Sequence, residues 1–229
     1  MKQSVQRFFR DIAENKEGIY NPKSGRLTSF AARTQEHVLK AVGSIIRQVK
    51  LSVALDVGSG PGRYIELYGN EKMFHVLVDA IPPMLLLAKS KARKLGFLDS
   101  TDFIVADVEN LPIRTRSCEI VSCIDILHHL DQSDKQVAFR ELARVAALDG
   151  YVLIEIKNIL FPHYLLGLSR RNPAGVSTGS NYIRVRAFFR SEGFQDMYST
   201  GALPWGLGAK VISPSIFMEF KRNHLKNGL

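Results

Sequence analysis

The chain has 229 residues, 45% of them hydrophobic and 23% charged, with a formal net charge of +9. That length suits one large α/β domain with an appendage, or two very small domains, and it can bury a core without disulfides or structural metals. Nothing approaches the ~18 uninterrupted apolar residues of a transmembrane span. The longest candidate, Ile154 to Leu168, is broken by Lys157, Asn158, Pro162 and His163. The N-terminal run MKQSVQRFFRDIAENKEG lacks the apolar core of a secretory signal. Cys118 and Cys123, the two cysteines, fit one apolar strand better than a disulfide framework, so a cytoplasmic setting and no metal site are expected. The charge is uneven: +6 over residues 1–50, −3 over 51–150 and +6 over 151–229. Basic flanks of this kind meet anionic substrates, lipid headgroups or nucleic acid, or are simply solvated.

In chain order, Val5, Phe8, Phe9 and Ile12 recur at helical spacing. A loop over 14–28 contains Gly18, Pro22 and Gly25, and Ser29 is placed to cap a second helix running toward Val49. Residues 1–50 are thus expected to form a helical cap on a domain spanning 51–229. The centre then alternates. Strands are expected at Ser52–Val57, Phe74–Val78, Asp102–Ala106, Glu119–Ile124 and Tyr151–Ile156. Helices are expected through Tyr64–Leu67, at Pro82–Leu95 with a proline in the first turn, and at Gln132–Ala147. This rhythm predicts a Rossmann-like, doubly wound α/β fold with right-handed crossovers. After the fifth strand come an irregular stretch over 157–180, a short helix at Tyr182–Arg190, a strand at Phe194–Ser199 and a last strand at Ser215–Arg222. The final pair reads as antiparallel, giving seven strands, mostly parallel, with an antiparallel last strand. The stretches at about 157–180 and 201–213 are the natural insertions for a second ligand.

The run Val53-Ala-Leu-Asp-Val-Gly-Ser-Gly-Pro-Gly-Arg63 is entered by a strand and left by a helix. Glycines there allow a sharp turn and close approach of a ligand, and the helix N-terminus offers free N–H groups. The dinucleotide fingerprint G-x-G-x-x-G would need glycine at 63, where Arg63 stands, and no Lys-Ser or Lys-Thr pair makes it a phosphate loop. Asp56, just before the glycines, is unwelcome beside a pyrophosphate and suits an ammonium group, directly or through water. Asp79 ends the second strand 21 residues after Gly58, where an acidic side chain accepts both ribose hydroxyls. Asp107 ends the third strand, where it would accept from an adenine amino group, and Ile81 and Met84 would flank the ring. The ligand this predicts is a nucleoside with an amino-acid tail.

The segments DVGSGPG, VDAIPPMLLLA, IVADVENLPI and CEIVSCIDILHHL resemble the class I S-adenosylmethionine-dependent methyltransferases, in particular the group that includes the ubiquinone/menaquinone biosynthesis methyltransferases. The resemblance covers roughly residues 50–156. It implies that Asp56, Gly58, Ser59, Gly60 and Gly62 hold the methionine part and that Asp79 takes the ribose. Ala80, Ile81 and Met84 would line the adenine, Asp107 and Val108 would bracket its polar edge, and the backbone at Cys123 and Ile124 would face the amino-acid tail. The cofactor implied is S-adenosylmethionine, with S-adenosylhomocysteine as product. Ile81 departs from the group, which often has a small hydroxyl residue there.

Methyl transfer requires alignment of the acceptor, exclusion of water and sometimes a base, but no dedicated nucleophile. Asp125, His128 and His129, after the fourth strand, are the candidate bases, although histidines there also serve as packing or backbone partners. Tyr20, His163 and Tyr164 belong to segments expected to cover the pocket. Residues 124–127 lack the Asn-Pro-Pro-aromatic motif of enzymes that methylate nucleic-acid amino groups. The later insertions carry Phe161, Leu165, Leu166, Leu168, Trp205 and Leu207 beside Arg170 and Arg171, which suits an anionic or amphiphilic small acceptor such as a quinone precursor, lipid or sugar conjugate. The expected function is O- or C-methylation of a small molecule, with peripheral membrane contact compatible. The alternatives are an RNA- or protein-modifying methyltransferase, which the basic flanks favour, and a non-catalytic nucleotide-binding module. An NAD-linked oxidoreductase is disfavoured by Arg63.

Overall fold

The computed structural model describes residues 2–14, 29–48, 53–70, 73–161, 178–201 and 213–223. Two helices, α1 (Lys2–Glu14) and α2 (Ser29–Gln48), precede the sheet. They are followed by β1 (Val53–Val57), α3 (Ile65–Asn70), β2 (Phe74–Asp79), α4 (Pro82–Leu95), β3 (Thr101–Val105) and β4 (Cys118–Cys123). The rest is α5 (Gln132–Val145), β5 (Ala146–Lys157), α6 (Tyr182–Ser191), β6 (Phe194–Gly201) and β7 (Ser215–Arg222). None of the described helices is long and apolar enough to cross a membrane.

The seven strands run in the order β3-β2-β1-β4-β5-β7-β6. The pairs β3-β2, β2-β1, β1-β4 and β4-β5 are parallel, and β7 is antiparallel to both β5 and β6. The Rossmann-like, doubly wound expectation holds, with one refinement. β7 inserts between β5 and β6, so β6 forms the outer edge. Local turn signals announce an antiparallel pair but do not say which member lies outside.

The central strands are mostly apolar because both faces are covered, with His75, Asp56 and Ser122 as buried polar exceptions. On one face α2, α3 and α4 bury Val38, Val42, Ile45, Tyr68 and Ile65 against Ala54, Ile120, Leu153, Phe217 and Leu77. On the other, α5 and α6 bury Phe139, Leu142 and Phe189 against Val57, Val121, Val152 and Phe220. Phe189 stacks on Phe220 at 4.4 Å. Burying a side chain of that size contributes about 2–3 kcal/mol. Helix ends follow local chemistry. Pro82 and Pro83 occupy the first turn of α4, and Gly96 closes it at φ 78°, donating to the Ala92 and Arg93 carbonyls. Asp131 caps α5 by accepting from the Asp134 N–H at 3.0 Å.

Several boundaries differ from the sequence reading. The helix expected to Ala147 ends at Val145, because Ala146 turns extended (ψ 128°) and pairs with Cys118. β5 consequently starts five residues earlier than expected, with a bulge in its pairing to β4 between Cys118 and Ile120. The third strand starts and ends one residue earlier, and the sixth extends to Gly201.

Candidate cofactor site

The strand order reverses between β1 and β4, and the carboxyl ends of β1, β2 and β4 open onto one cleft, as expected of an open α/β sheet. One end, where the sequence reading expects the adenosine and which is therefore termed the adenosine end, is a cavity of about 90 Å³ whose walls include Val57, Gly58, Asp79, Ala80, Ile81, Asp107, Val108 and His129. A second pocket continues it under the glycine turn, lined by Asp56, Gly58, Ser59, Gly60, Arg63, Ile124 and Asp125. Gly58 and Ile126 line both.

The turn is held by backbone. The Gly58 and Ser59 N–H groups both donate to the Val78 carbonyl, at 2.8 and 3.1 Å. Gly58 has φ 71°, and a Cβ there would lie 2.1 Å from the Ile126 side chain. The Asp79 carboxylate knits β2 to the turn, accepting from Gly60 N at 2.8 Å and Ile81 N at 2.9 Å. Each oxygen keeps a further lone pair for a ligand hydroxyl. Burial raises the Asp79 pKa, which these two N–H bonds and nearby Asp107 modify.

Asp56 sits mid-sheet, opposite Leu77 and Ser122. Its Oδ1 accepts from the Ser122 hydroxyl at 2.9 Å, while Oδ2 is buried without a partner among the described residues. Burial pushes its pKa up to about 6. The Ser59 hydroxyl is likewise buried and unpartnered. A buried carboxylate with an open acceptor position beside a free hydroxyl fits an ammonium-bearing tail, directly or through water. The donor set thus fits S-adenosylmethionine.

Not every expected residue reaches the cleft. Met84 packs under α1 with Ala13 and Ile81 and lines neither pocket, since the adenine wall ends at Ile81. Gly62 has φ 79°, and a Cβ there would meet Ile65 and Ala88, so its role is close packing of the turn. The Cys123 side chain is fully buried in the apolar core, its thiol pKa pushed far up by burial, which leaves only its backbone for the tail, as the sequence reading has it; the neighbouring Ile124 lines the tail pocket. Among the candidate bases, His129 lines the adenosine end and Asp125 the tail end, whereas His128 is buried beside His129 at a ring separation of 3.9 Å and lines neither pocket.

Asp125 adopts φ 63°. It faces Lys157 Nζ at 3.5 Å, and Arg63 and His128 at 3.8 Å. Burial opposes its ionisation, but the Lys157 and Arg63 charges outweigh it and lower its pKa. Desolvation lowers His129 to about 4 and His128 well below the usual histidine range, so both are neutral at physiological pH. Asp125 is thus a fixed carboxylate and the histidines are weak bases.

Two contributors were not expected from the sequence. Arg63, read as a missing third glycine, has a side chain 15% exposed that lines the tail pocket. Helix α1 supplies Val5, Gln6 and Phe9 to the adenosine end. Gln6 donates to Asp107 at 3.3 Å, and Phe9 meets His129 edge-on at 5.3 Å. The helical spacing of Val5, Phe9 and Ile12 signalled a buried face but not what it covers. Tyr20, His163, Tyr164, Arg170, Arg171, Trp205 and most of both insertions lie outside the described residues.

Residues 55–154 match the family described as methyltransferase domain. A malonyl-[acyl-carrier protein] O-methyltransferase of Marinomonas is 31% identical over 123 residues, 52% of this chain and 43% of that protein. A mouse tRNA (carboxymethyluridine(34)-5-O)-methyltransferase is 24% identical over 106 residues, 46% of this chain and 14% of its own. The chain thus spans less than half the length of these curated relatives. The Synechocystis magnesium protoporphyrin IX methyltransferase, solved with S-adenosylhomocysteine, superposes with TM-score 0.70 at 18% identity, over 97% of this chain and 100% of that one. The glycine turn and the carboxylates Asp56, Asp79 and Asp107 at successive strand ends all lie inside the segment similar to methyltransferase domains, and the sheet that carries them is the Rossmann-like fold of the solved neighbours.

Proposed function

We propose that the protein methylates a small-molecule acceptor at oxygen or carbon, using S-adenosylmethionine, and that the acceptor is anionic or amphiphilic. The observation that carries the cofactor half is the buried Asp56 Oδ2, unpartnered among the described residues, beside the cavity lined by Asp79 and Asp107. When bound, the cofactor supplies an electrophilic methyl group on a sulfonium centre. The chain's own residues orient and shield. Asp56 and Ser59 hold the tail, Asp79 the ribose, and α1 closes the adenosine end with Phe9 and Gln6. Asp125, kept ionised by Lys157 and Arg63, carries fixed negative charge at the mouth of the tail pocket. The low basicity of His128 and His129 supports catalysis by alignment and water exclusion over strong proton abstraction.

The small-acceptor reading rests on the apolar residues and arginines of the insertions, and is supported by the likeness to methyltransferases acting on malonyl-[acyl-carrier protein] and magnesium protoporphyrin IX. A quinone-type acceptor is the narrower form of the same proposal. RNA modification is the second reading, favoured by the basic flanks and the tRNA methyltransferase match. Calorimetry with S-adenosylmethionine, S-adenosylhomocysteine and NAD tests the cofactor half. Both sulfur ligands should bind and NAD should not, and Asp79→Ala should weaken binding at least tenfold. Absence of binding, or an indifferent Asp79→Ala, would falsify it. A metabolite screen with labelled methyl donor then tests the acceptor half, and RNA binding that falls steeply with salt would favour the second reading.

A further inference from the structure

Away from the cofactor cleft, the described residues line a half-open cavity of about 320 Å³ between α2 and the β5-β7-β6 edge of the sheet. His37, Lys40 and Ser44 of α2 form one wall, and Tyr151, Met197, Tyr198 and Glu219 the other. None of these residues lines the cofactor cleft. The cavity follows from the β7 sequence. Phe217, Glu219 and Lys221 alternate onto one face. Phe217 is covered by α2, whose His37 ring stacks over it at 6.3 Å. Two positions further on, Glu219 sits between Leu153 and Tyr198 in the sheet register and faces Ala41 and Ser44, which are too small to fill the space.

The Glu219 carboxyl is half-buried and has no hydrogen-bond or ion-pair partner among the described residues, and burial pushes its pKa up to about 7. The cationic groups nearby have other contacts. Lys40 pairs with Glu36 at 2.6 Å, and the Lys221 ammonium lies 5.4 Å from the Tyr151 ring. A carboxylate in a partly dry wall with no partner is unfavourable until a ligand supplies one.

We propose that this cavity is a second ligand site, taking a small organic cation whose ammonium group pairs with Glu219 and whose apolar body lies against Tyr151, Tyr198 and Met197. An ammonium–carboxylate contact is a charge-assisted hydrogen bond. Tyrosine faces attract the same charge, and the methionine adapts to the body's shape. The volume falls in the range of about 300–1,000 Å³ typical of small-molecule pockets. An anion would meet Glu219 with like charge, and a neutral apolar molecule would leave it unpaired.

The test is an NMR titration of the full chain with phenethylammonium chloride, beside 3-phenylpropionate, which carries a similar body and the opposite charge. The cation should give saturable shifts at Met197 and Tyr198, unchanged by saturating S-adenosylhomocysteine. Glu219→Gln should weaken it about tenfold while leaving S-adenosylhomocysteine binding intact. Tyr198→Leu should weaken it through loss of the ring face. Affinity should fall about tenfold from pH 8 to pH 6 as Glu219 protonates; His37, Lys40, Tyr151 and Tyr198 are the other titratable groups facing the cavity, and the Gln variant separates their contribution. No saturation, equal affinity in Glu219→Gln, equal binding of 3-phenylpropionate, or displacement by S-adenosylhomocysteine would each overturn the proposal.

Discussion

At the residue scale, Asp56 works against stability and for binding. Its folded pKa of about 6 lies above the ordinary 3.8, so the folded state holds the proton more tightly than the unfolded chain. Its contribution to stability is therefore fully present below about pH 4 and is lost as pH rises through about 6. At neutral pH the buried charge is a cost, and Asp56→Asn should raise the stability of the unliganded protein by about 2 kcal/mol, read by thermal unfolding. The same variant should weaken S-adenosylhomocysteine at least tenfold, because the tail loses its carboxylate. In the parent chain that affinity should be about tenfold lower at pH 5 than at pH 8, a slope that Asp56→Asn should flatten.

At the element scale, the glycine turn separates conformational need from ligand space. Gly58→Ala meets Ile126 at 2.1 Å from a residue at φ 71°, so it should destabilise by more than about 3 kcal/mol and reduce folded yield. Gly60, at φ 54°, has nothing within 4 Å of an added Cβ. Gly60→Ala should cost about 1 kcal/mol in denaturant unfolding, yet weaken S-adenosylhomocysteine at least tenfold in calorimetry, because the methyl group enters the tail pocket. Helix α1 makes the complementary case. Phe9→Ala should reduce cofactor affinity several-fold with a smaller effect on global unfolding, since Phe9 is half-buried at the cleft and outside the main sheet core.

At the scale of the whole molecule, the buried Lys135 ties the chain after the first insertion to the base of the cleft. Its ammonium donates to the Thr178 and Gly179 carbonyls at 2.9 and 3.0 Å, while the Thr178 hydroxyl donates to Leu130 and its N–H to the His128 carbonyl. Desolvation lowers Lys135 to about 8, below the ordinary 10.5. The folded state thus binds that proton more weakly, and stability should rise as pH increases from about 8 to 10.5. Lys135→Met should remove this component, about 3 kcal/mol, from the pH dependence of thermal unfolding; an unchanged slope would show that the ammonium is not held dry.

What the sequence determined by itself is local or periodic. Alternating strands and helices specify the doubly wound sheet, and the Val53–Arg63 turn with Asp56, Asp79 and Asp107 specifies a charged-tail nucleoside, because each feature reports on its own backbone and on the strand end it occupies. Tertiary structure alone decided the rest. β7 inserts inside β6, Met84 faces packing rather than the cleft, Arg63 and α1 reach into the cleft, and His128 is buried beside His129. Those outcomes depend on which distant surfaces meet and which groups lose water, and no spacing along the chain encodes either. The same holds for Glu219, an ordinary surface glutamate in sequence, which becomes a half-buried carboxylate only when α2 leaves a cavity above it.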